Sequence, residues 1–190
     1  MRIKQLFKTI SAFAIAAILF TPFTSCGDDD NNGGEDPEKK QTPKSAKAQY
    51  KFECSQTMLD LLDITITYID KGQKMTEQIS QLSTTITAEG SSLPATFGFK
   101  IHTAVKANAD FSKGGPYNFK YGANTTGFKV FDAEGKTITG LAVQSSITFV
   151  ENSWSSEDKV RKGYDNKDLT SVGFEVGTDG KATDKTISWD

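Results

Sequence analysis

Residues 97–105 read Phe97-Gly98-Phe99-Lys100-Ile101-His102-Thr103-Ala104-Val105 and form the longest alternation of large side chains in the chain. A period of two places Phe97, Phe99 and Ile101 on one face of an extended strand, and Lys100 and His102 on the other. A strand of this kind buries its apolar face against a second layer and leaves its other face polar. The stretch therefore predicts a β-strand whose large rings enter a core.

The same alternation recurs along most of the chain after residue 47. It is found in Ile64 to Tyr68, Leu82 to Ile86, Tyr117 to Tyr121, Phe128 to Val130, Leu141 to Phe149, Val172 to Val176 and Ile187 to Trp189. Glycine-containing turns separate these segments, and Asp179-Gly180 predicts a type I′ hairpin because both residues tolerate positive φ. We expect an all-β domain, a two-sheet antiparallel β-sandwich that is immunoglobulin-like or related, with a closed lipocalin-like barrel as the alternative.

One segment departs from this alternation. Ser156, Glu157 and Asp158 offer an N-cap and early acidic residues, and Arg161 and Lys162 suit the end of a helix. We expect one short helical turn near 156–162, within a long connection that runs from 151 to 168.

The first 25 residues have the layout of a secretory signal peptide. Arg2, Lys4 and Lys8 are followed by an apolar run from Ile10 to Phe20. This run is shorter than the roughly 20 apolar residues that a membrane-spanning helix needs. We therefore expect residues 1–25 to be cleaved and Cys26 to become a lipidated N-terminus, whose acyl chains anchor the protein stably.

The segment around this cysteine resembles that of surface-exported lipoproteins of the Bacteroidota. It reads Phe23-Thr24-Ser25-Cys26-Gly27-Asp28-Asp29-Asp30, and an acidic run just after the anchor cysteine is the mark of that family. The resemblance covers only the signal and the first mature residues. It implies export through Asp28, Asp29 and Asp30, a membrane contact through the N-terminal lipid, and exposure on the outer membrane at the cell surface.

Residues 26–47 are polar and lack apolar periodicity, so we expect a disordered acidic tether after the lipidated cysteine. Asp28 and Asp30 match the first half of an EF-hand loop, but Lys39 stands where that loop needs a bidentate glutamate. The tether therefore predicts no calcium site. Residues 48–190 are long enough to form a single domain with its own core.

Charge and cysteine content limit the possible partners. The formal net charge is −2, and loss of the three basic signal residues brings it to about −5, which argues against nucleic acid as a partner. The cysteine at position 54 lies on the same strand face as Tyr50 and Phe52. We expect Cys54 to be a buried, unreactive thiol without a disulfide partner.

Residues that could carry catalysis are sparse. His102 is the single histidine, so a multi-histidine metal site is excluded, and no pair of carboxylates has a spacing that fixes it across a substrate bond. The sequence therefore predicts no catalytic residue, no metal site and no cofactor.

Three aromatic residues lie off the strand pattern. Trp154 and Tyr164 fall in the 151–168 connection, and Phe131 points opposite to Phe128 and Val130. Exposed rings beside polar groups can stack on a sugar or anchor a protein partner. We therefore identify Trp154, Tyr164 and Phe131 as candidate ligand-binding residues, with the 151–168 connection as the recognition edge.

These features favour a surface-anchored, non-catalytic binding or adhesion lipoprotein whose partner is a glycan or a protein. The alternative is an accessory structural subunit of an outer-membrane assembly, in which an edge strand pairs with another chain. A hydrolase that uses scattered carboxylates is the third possibility.

Overall fold

The structure is a computed structural model, and it describes residues 41–189. The predictions on residues 1–40, which include the signal peptide, Cys26, the acidic run and most of the tether, lie outside the described residues. Within 41–189, the elements are β1 (Ser45–Cys54), α1 (Gln56–Leu61), β2 (Leu62–Asp70), β3 (Gln73–Ile79), β4 (Ser83–Gly90), β5 (Ala95–Val105), β6 (Tyr117–Phe131), β7 (Val143–Gln144), β8 (Phe149–Trp154), α2 (Glu157–Tyr164), β9 (Lys167–Val176) and β10 (Ala182–Asp184).

The strands form two antiparallel sheets. Sheet A has the order β4-β1-β6-β7, with β8 also paired to β6, and sheet B has the order β10-β9-β5-β2-β3. The two sheets are separate and do not close into a barrel. The predicted β-sandwich is therefore confirmed, and the barrel alternative is wrong.

The core lies between the inner faces of the two sheets. Phe97, Phe99 and Ile101 of β5 are 0% exposed, as the alternation predicts. The ring of Tyr50 in β1 lies 5.1 Å from that of Phe99, and the Gly98 amide donates a hydrogen bond to the Tyr50 hydroxyl. Burial raises the pKa of the Tyr50 phenol, and this effect exceeds the opposing effect of the hydrogen bond from Gly98. This buried contact joins sheet A to sheet B.

Cys54 ends β1 and faces the same core. Its side chain is buried beyond Tyr50 and Phe52, and burial raises the pKa of the thiol to about 11. A thiol with so high a pKa is almost wholly protonated at neutral pH and is a poor nucleophile. The prediction that this thiol is buried is confirmed.

The beginning of the domain needs a correction. We predicted the tether to extend to residue 47, but β1 begins at Ser45. Ala46 is 1% exposed because it faces inward opposite Val130 of β6 and Gly90 of β4. Residues 45–47 are therefore part of a strand. Local composition did not predict this, because their pairing partners lie far away in the sequence.

Two turns also differ from expectation. A hairpin does join β9 to β10, but only Gly180 has a positive φ there, so its turn is not of type I′. The two-residue turn between β2 and β3 has that geometry instead, because Lys71 and Gly72 have φ of 51° and 78°.

Helix α2 confirms the helical turn predicted near 156–162. Its first turn carries Glu157 and Asp158, and its last carries Arg161 and Lys162, which suits the helix dipole. Helix α1 was not predicted, because it is a single short segment between two strands, and it buries Met58 and Leu61.

The predicted last strand, Ile187 to Trp189, is not a strand. Residues 185–189 instead cross the outer face of sheet B, and we call them the C-terminal strap. The Lys185 amide donates to the Gly173 carbonyl over 2.9 Å, and Trp189 Nε1 donates to Ser171 Oγ over 2.7 Å. The strap therefore covers part of the outer face of sheet B that would otherwise be exposed to solvent.

Candidate functional site

A groove of about 650 Å³ lies on the outer face of sheet A, and we call it the sheet A groove. Strands β4, β1 and β6 form its floor, and the segment around β7 forms one side. It is lined by Lys47, Ala48, Gln49, Thr87, Thr126, Gly127, Phe128, Lys129, Phe131, Ala142, Val143 and Gln144. Amide, hydroxyl and ammonium groups thus surround a half-buried ring and an exposed valine.

Strand register explains why these side chains meet. Lys47 pairs with Lys129, and Gln49 pairs with Gly127, on neighbouring strands. Because Ala48 and Phe128 face the core, their neighbours along each strand face outward. Gly127 has no side chain, so it leaves a depression between its two partners, Gln49 of β1 and Gln144 of β7.

Phe131 lies at the end of β6, opposite Ser45, and faces outward as predicted. Its ring is half-buried, so one part packs on the sheet and the other remains available at the groove. Of the three candidate binding residues, Phe131 is the one that lines this concave surface.

Trp154 does not lie in a loop. It is the last residue of β8 and pairs with Tyr117 of β6, so it faces inward and packs against the core. Its Nε1 is buried without a hydrogen-bond partner among residues 41–189. The side chain as a whole is half-buried, so its polar edge is enclosed while part of the ring packs on the core.

Tyr164 is also placed differently. It ends helix α2 and is 3% exposed, with its ring 4.8 Å from that of Phe119 and 6.0 Å from that of Trp154. Its hydroxyl accepts a hydrogen bond from Asn152 Nδ2. The predicted exposed ring at position 164 is therefore wrong, because this side chain closes one end of the core.

Most of the predicted connection from 151 to 168 is formed by β8, α2 and the start of β9. The predicted recognition edge therefore lacks the pair of exposed rings at Trp154 and Tyr164. The sequence does contain a signal for the burial of Tyr164. Val160 and Tyr164 are four residues apart, which is the spacing of one face of a helix, and Val160 is 0% exposed. The pairing of β8 with β6 carries no comparable local signal.

A cluster of ionisable side chains lies on the outer face of sheet B. His102 Nδ1 donates to Asp168 Oδ1 over 2.8 Å, and Lys100 Nζ is 3.5 Å from Asp168 Oδ2. Partial desolvation raises the pKa of Asp168, but the hydrogen bond from His102 and the charge of Lys100 outweigh it and lower this pKa overall. No serine, threonine or cysteine side chain within 41–189 hydrogen-bonds to His102, so the cluster lacks a positioned nucleophile.

A second concavity lies beside helix α1, and two of its polar side chains, Lys106 and Gln56, hydrogen-bond within the protein. Lys106 Nζ donates to the Leu59 carbonyl, and Gln56 Nε2 donates to Asp60 over 2.7 Å. These side chains stabilise the helix, so they are not free to select a ligand.

In the described part of the chain, no three histidine, cysteine or carboxylate side chains are grouped so that they could hold a metal ion. No helix between residues 41 and 189 is long and apolar enough to cross a membrane. No protein-family model matches the chain, and no curated protein matches it either.

Proposed function

We propose that this protein is a non-catalytic binding module, held at the outer-membrane surface by a lipid on Cys26, and that the sheet A groove binds glycan. The observation that carries the proposal is the groove itself, with Phe131 among amide and hydroxyl side chains. Binding sites commonly combine an apolar surface with a few placed polar groups.

A sugar has both kinds of surface that this groove offers. Its ring hydrogens form an apolar face that can stack on Phe131, and its hydroxyls can bond to Gln49, Gln144 and Thr126. Among the described residues, the lining holds no histidine, cysteine or carboxylate. The groove thus supplies binding contacts and lacks the carboxylate pair or histidine on which most acid-base catalysis depends.

An accessory structural subunit remains the alternative. Strand β3 forms an edge of sheet B, and all of Gln73 to Gln78 is exposed. Charged and polar side chains such as Lys74 and Glu77 are typical of edges that avoid pairing with other chains. This composition favours the binding module over assembly through β3.

The first prediction tests the groove. A glycan array probed with the full chain in mild detergent should show binding, and Phe131→Ala should weaken it about tenfold or more, because stacking area is lost. Phe149→Ala is the matched control, since Phe149 is 41% exposed on sheet A but does not line the groove. Binding that tolerates Phe131→Ala, or falls equally with both variants, would contradict sugar stacking on Phe131.

The second prediction tests the anchor. Radiolabelled palmitate should enter the wild-type protein but not Cys26→Ala, because only the thiol and freed amine of a processed cysteine accept the acyl chains. Replacement of Asp28, Asp29 and Asp30 by alanine should keep the label yet reduce protease access on whole cells. Equal labelling of Cys26→Ala would exclude lipidation at this cysteine. Unchanged protease access in the triple alanine variant would show that the acidic run is only a solvated linker.

A further inference from the structure

We propose that the sheet A groove selects anionic glycans, with Lys129 and Lys47 binding a carboxylate or sulfate group of the sugar. This inference rests on the proposed function, because it names the ligand class of the same groove. Its evidence is the position of the two lysines in the sheet and the difference in their ion pairing.

The two lysines are direct cross-strand neighbours. Lys47 of β1 is in register with Lys129 of β6, and both are exposed on the outer face. Like charges directly opposite each other destabilise a sheet. Glu89 offsets this repulsion at Lys47, and an anion bound at Lys129 would offset the charge that remains.

Only one of the pair has a partner within the domain. Lys47 Nζ lies 2.6 Å from Glu89 Oε1, and hydrogen bonding to Lys47 lowers the pKa of Glu89. The Lys129 side chain has no ion pair or hydrogen bond among residues 41–189. By contrast, Lys120, on the same strand and face, lies 2.7 Å from Glu151 Oε1.

Charge in the groove runs against that of the whole chain. The formal net charge is −2, but the described lining carries two lysines and no carboxylate, and Glu89 beside the groove pairs with Lys47 and leaves the charge of Lys129 unpaired among residues 41–189. The net negative charge of the chain does not attract a polyanion. Binding of a polyanion therefore depends on direct contact with these lysines.

Phe131 and Lys129 are placed to act on one sugar unit. They are two residues apart on β6, which is about 7 Å along a strand, and both face the groove. A ring stacked on Phe131 can thus present its charged substituent to the flexible ammonium of Lys129. An exposed charge pair of this type contributes about two- to fivefold in affinity and weakens as salt rises.

The test uses polymers that differ mainly in charge. Calorimetry on the full chain in detergent compares polygalacturonate with its methyl ester, and dextran sulfate with dextran, at low and high salt. We expect tighter binding of an acidic member, with a preference that shrinks in high salt. The carboxylate and sulfate arms distinguish the two anion types.

Variants assign the preference to the pair. Lys129→Gln should weaken binding of the preferred acidic polymer about two- to fivefold, while Lys129→Arg keeps it and Lys120→Gln leaves it unchanged. The melting temperature of Lys129→Gln should not fall, because the change removes a like-charge repulsion.

The outcomes separate this inference from the proposed function. Phe131-dependent binding that is equal for acidic and neutral polymers, and unaffected by Lys129→Gln, overturns the anion selectivity and leaves the glycan groove. Acidic binding that needs Lys129 but tolerates Phe131→Ala supports the lysine pair and overturns stacking. No binding to any of the four polymers, or binding indifferent to both residues, overturns the inference.

Discussion

Replacing Phe99 with alanine should lower the free energy of unfolding by about 3–5 kcal/mol. The ring is 0% exposed, lies between Tyr68 and Val172 on neighbouring strands, and packs on Tyr50 of the other sheet. Removing it opens a cavity at the contact that joins the sheets. Urea denaturation followed by circular dichroism measures this loss.

The adjacent residue is the control for Phe99→Ala. Lys100 faces outward, and its ion pair with Asp168 is partly exposed, with side chains 19% and 50% accessible, so the pair is worth about 1 kcal/mol. Lys100→Ala should therefore cost little. Similar losses at the two positions would mean that the side chain of Lys100 is packed as tightly as that of Phe99, contrary to the structure.

The second large effect is expected at Gly173. A Cβ added there would lie 2.3 Å from the Lys185 carbonyl oxygen and 2.6 Å from Ile187 Cδ1, which is closer than real atoms approach. Gly173→Ala should therefore displace the C-terminal strap and cost about 3 kcal/mol. Thermal denaturation would show the loss, and limited proteolysis with mass spectrometry would show new cleavage within 185–189.

Gly127→Ala is the matched control for Gly173→Ala. Gly127 also lies within a strand, but the nearest atom to its added Cβ is 3.5 Å away, which is ordinary contact. The melting temperature of this variant should stay close to that of the wild type. Equal stability of both variants, with no new cleavage in the Gly173 variant, would show that the strap is not held at the glycine.

Side-chain alternation was sufficient to predict the architecture. From Phe97 to Ile101, large and small or polar side chains alternate, so the buried face of β5 could be predicted without knowing which strands lie beside it. Strand β3 gave no such signal, because it is an exposed edge with only Ile79 buried. Local pattern thus predicts half-buried strands and misses polar edges.

The site depends on information that a local pattern does not hold. Phe131 could be identified by its direction relative to Phe128 and Val130. Its grouping with Lys47 and Gln49 follows from the register of β1 against β6, which joins residues far apart in sequence. Tyr164 was misplaced because it was read as part of a loop, whereas helical spacing with Val160 decides its burial.

The C-terminal strap is synthesised after the strands of sheet B that it covers. Gly98 and Gly173 are both made before Ile187, the residue whose side chain lies over them. Because chains emerge from the ribosome N-terminus first, the outer face of β5 and β9 at these glycines is still uncovered when both strands have been synthesised. A chain interrupted before Lys185 would therefore carry both sheets and still expose backbone that the finished protein hides.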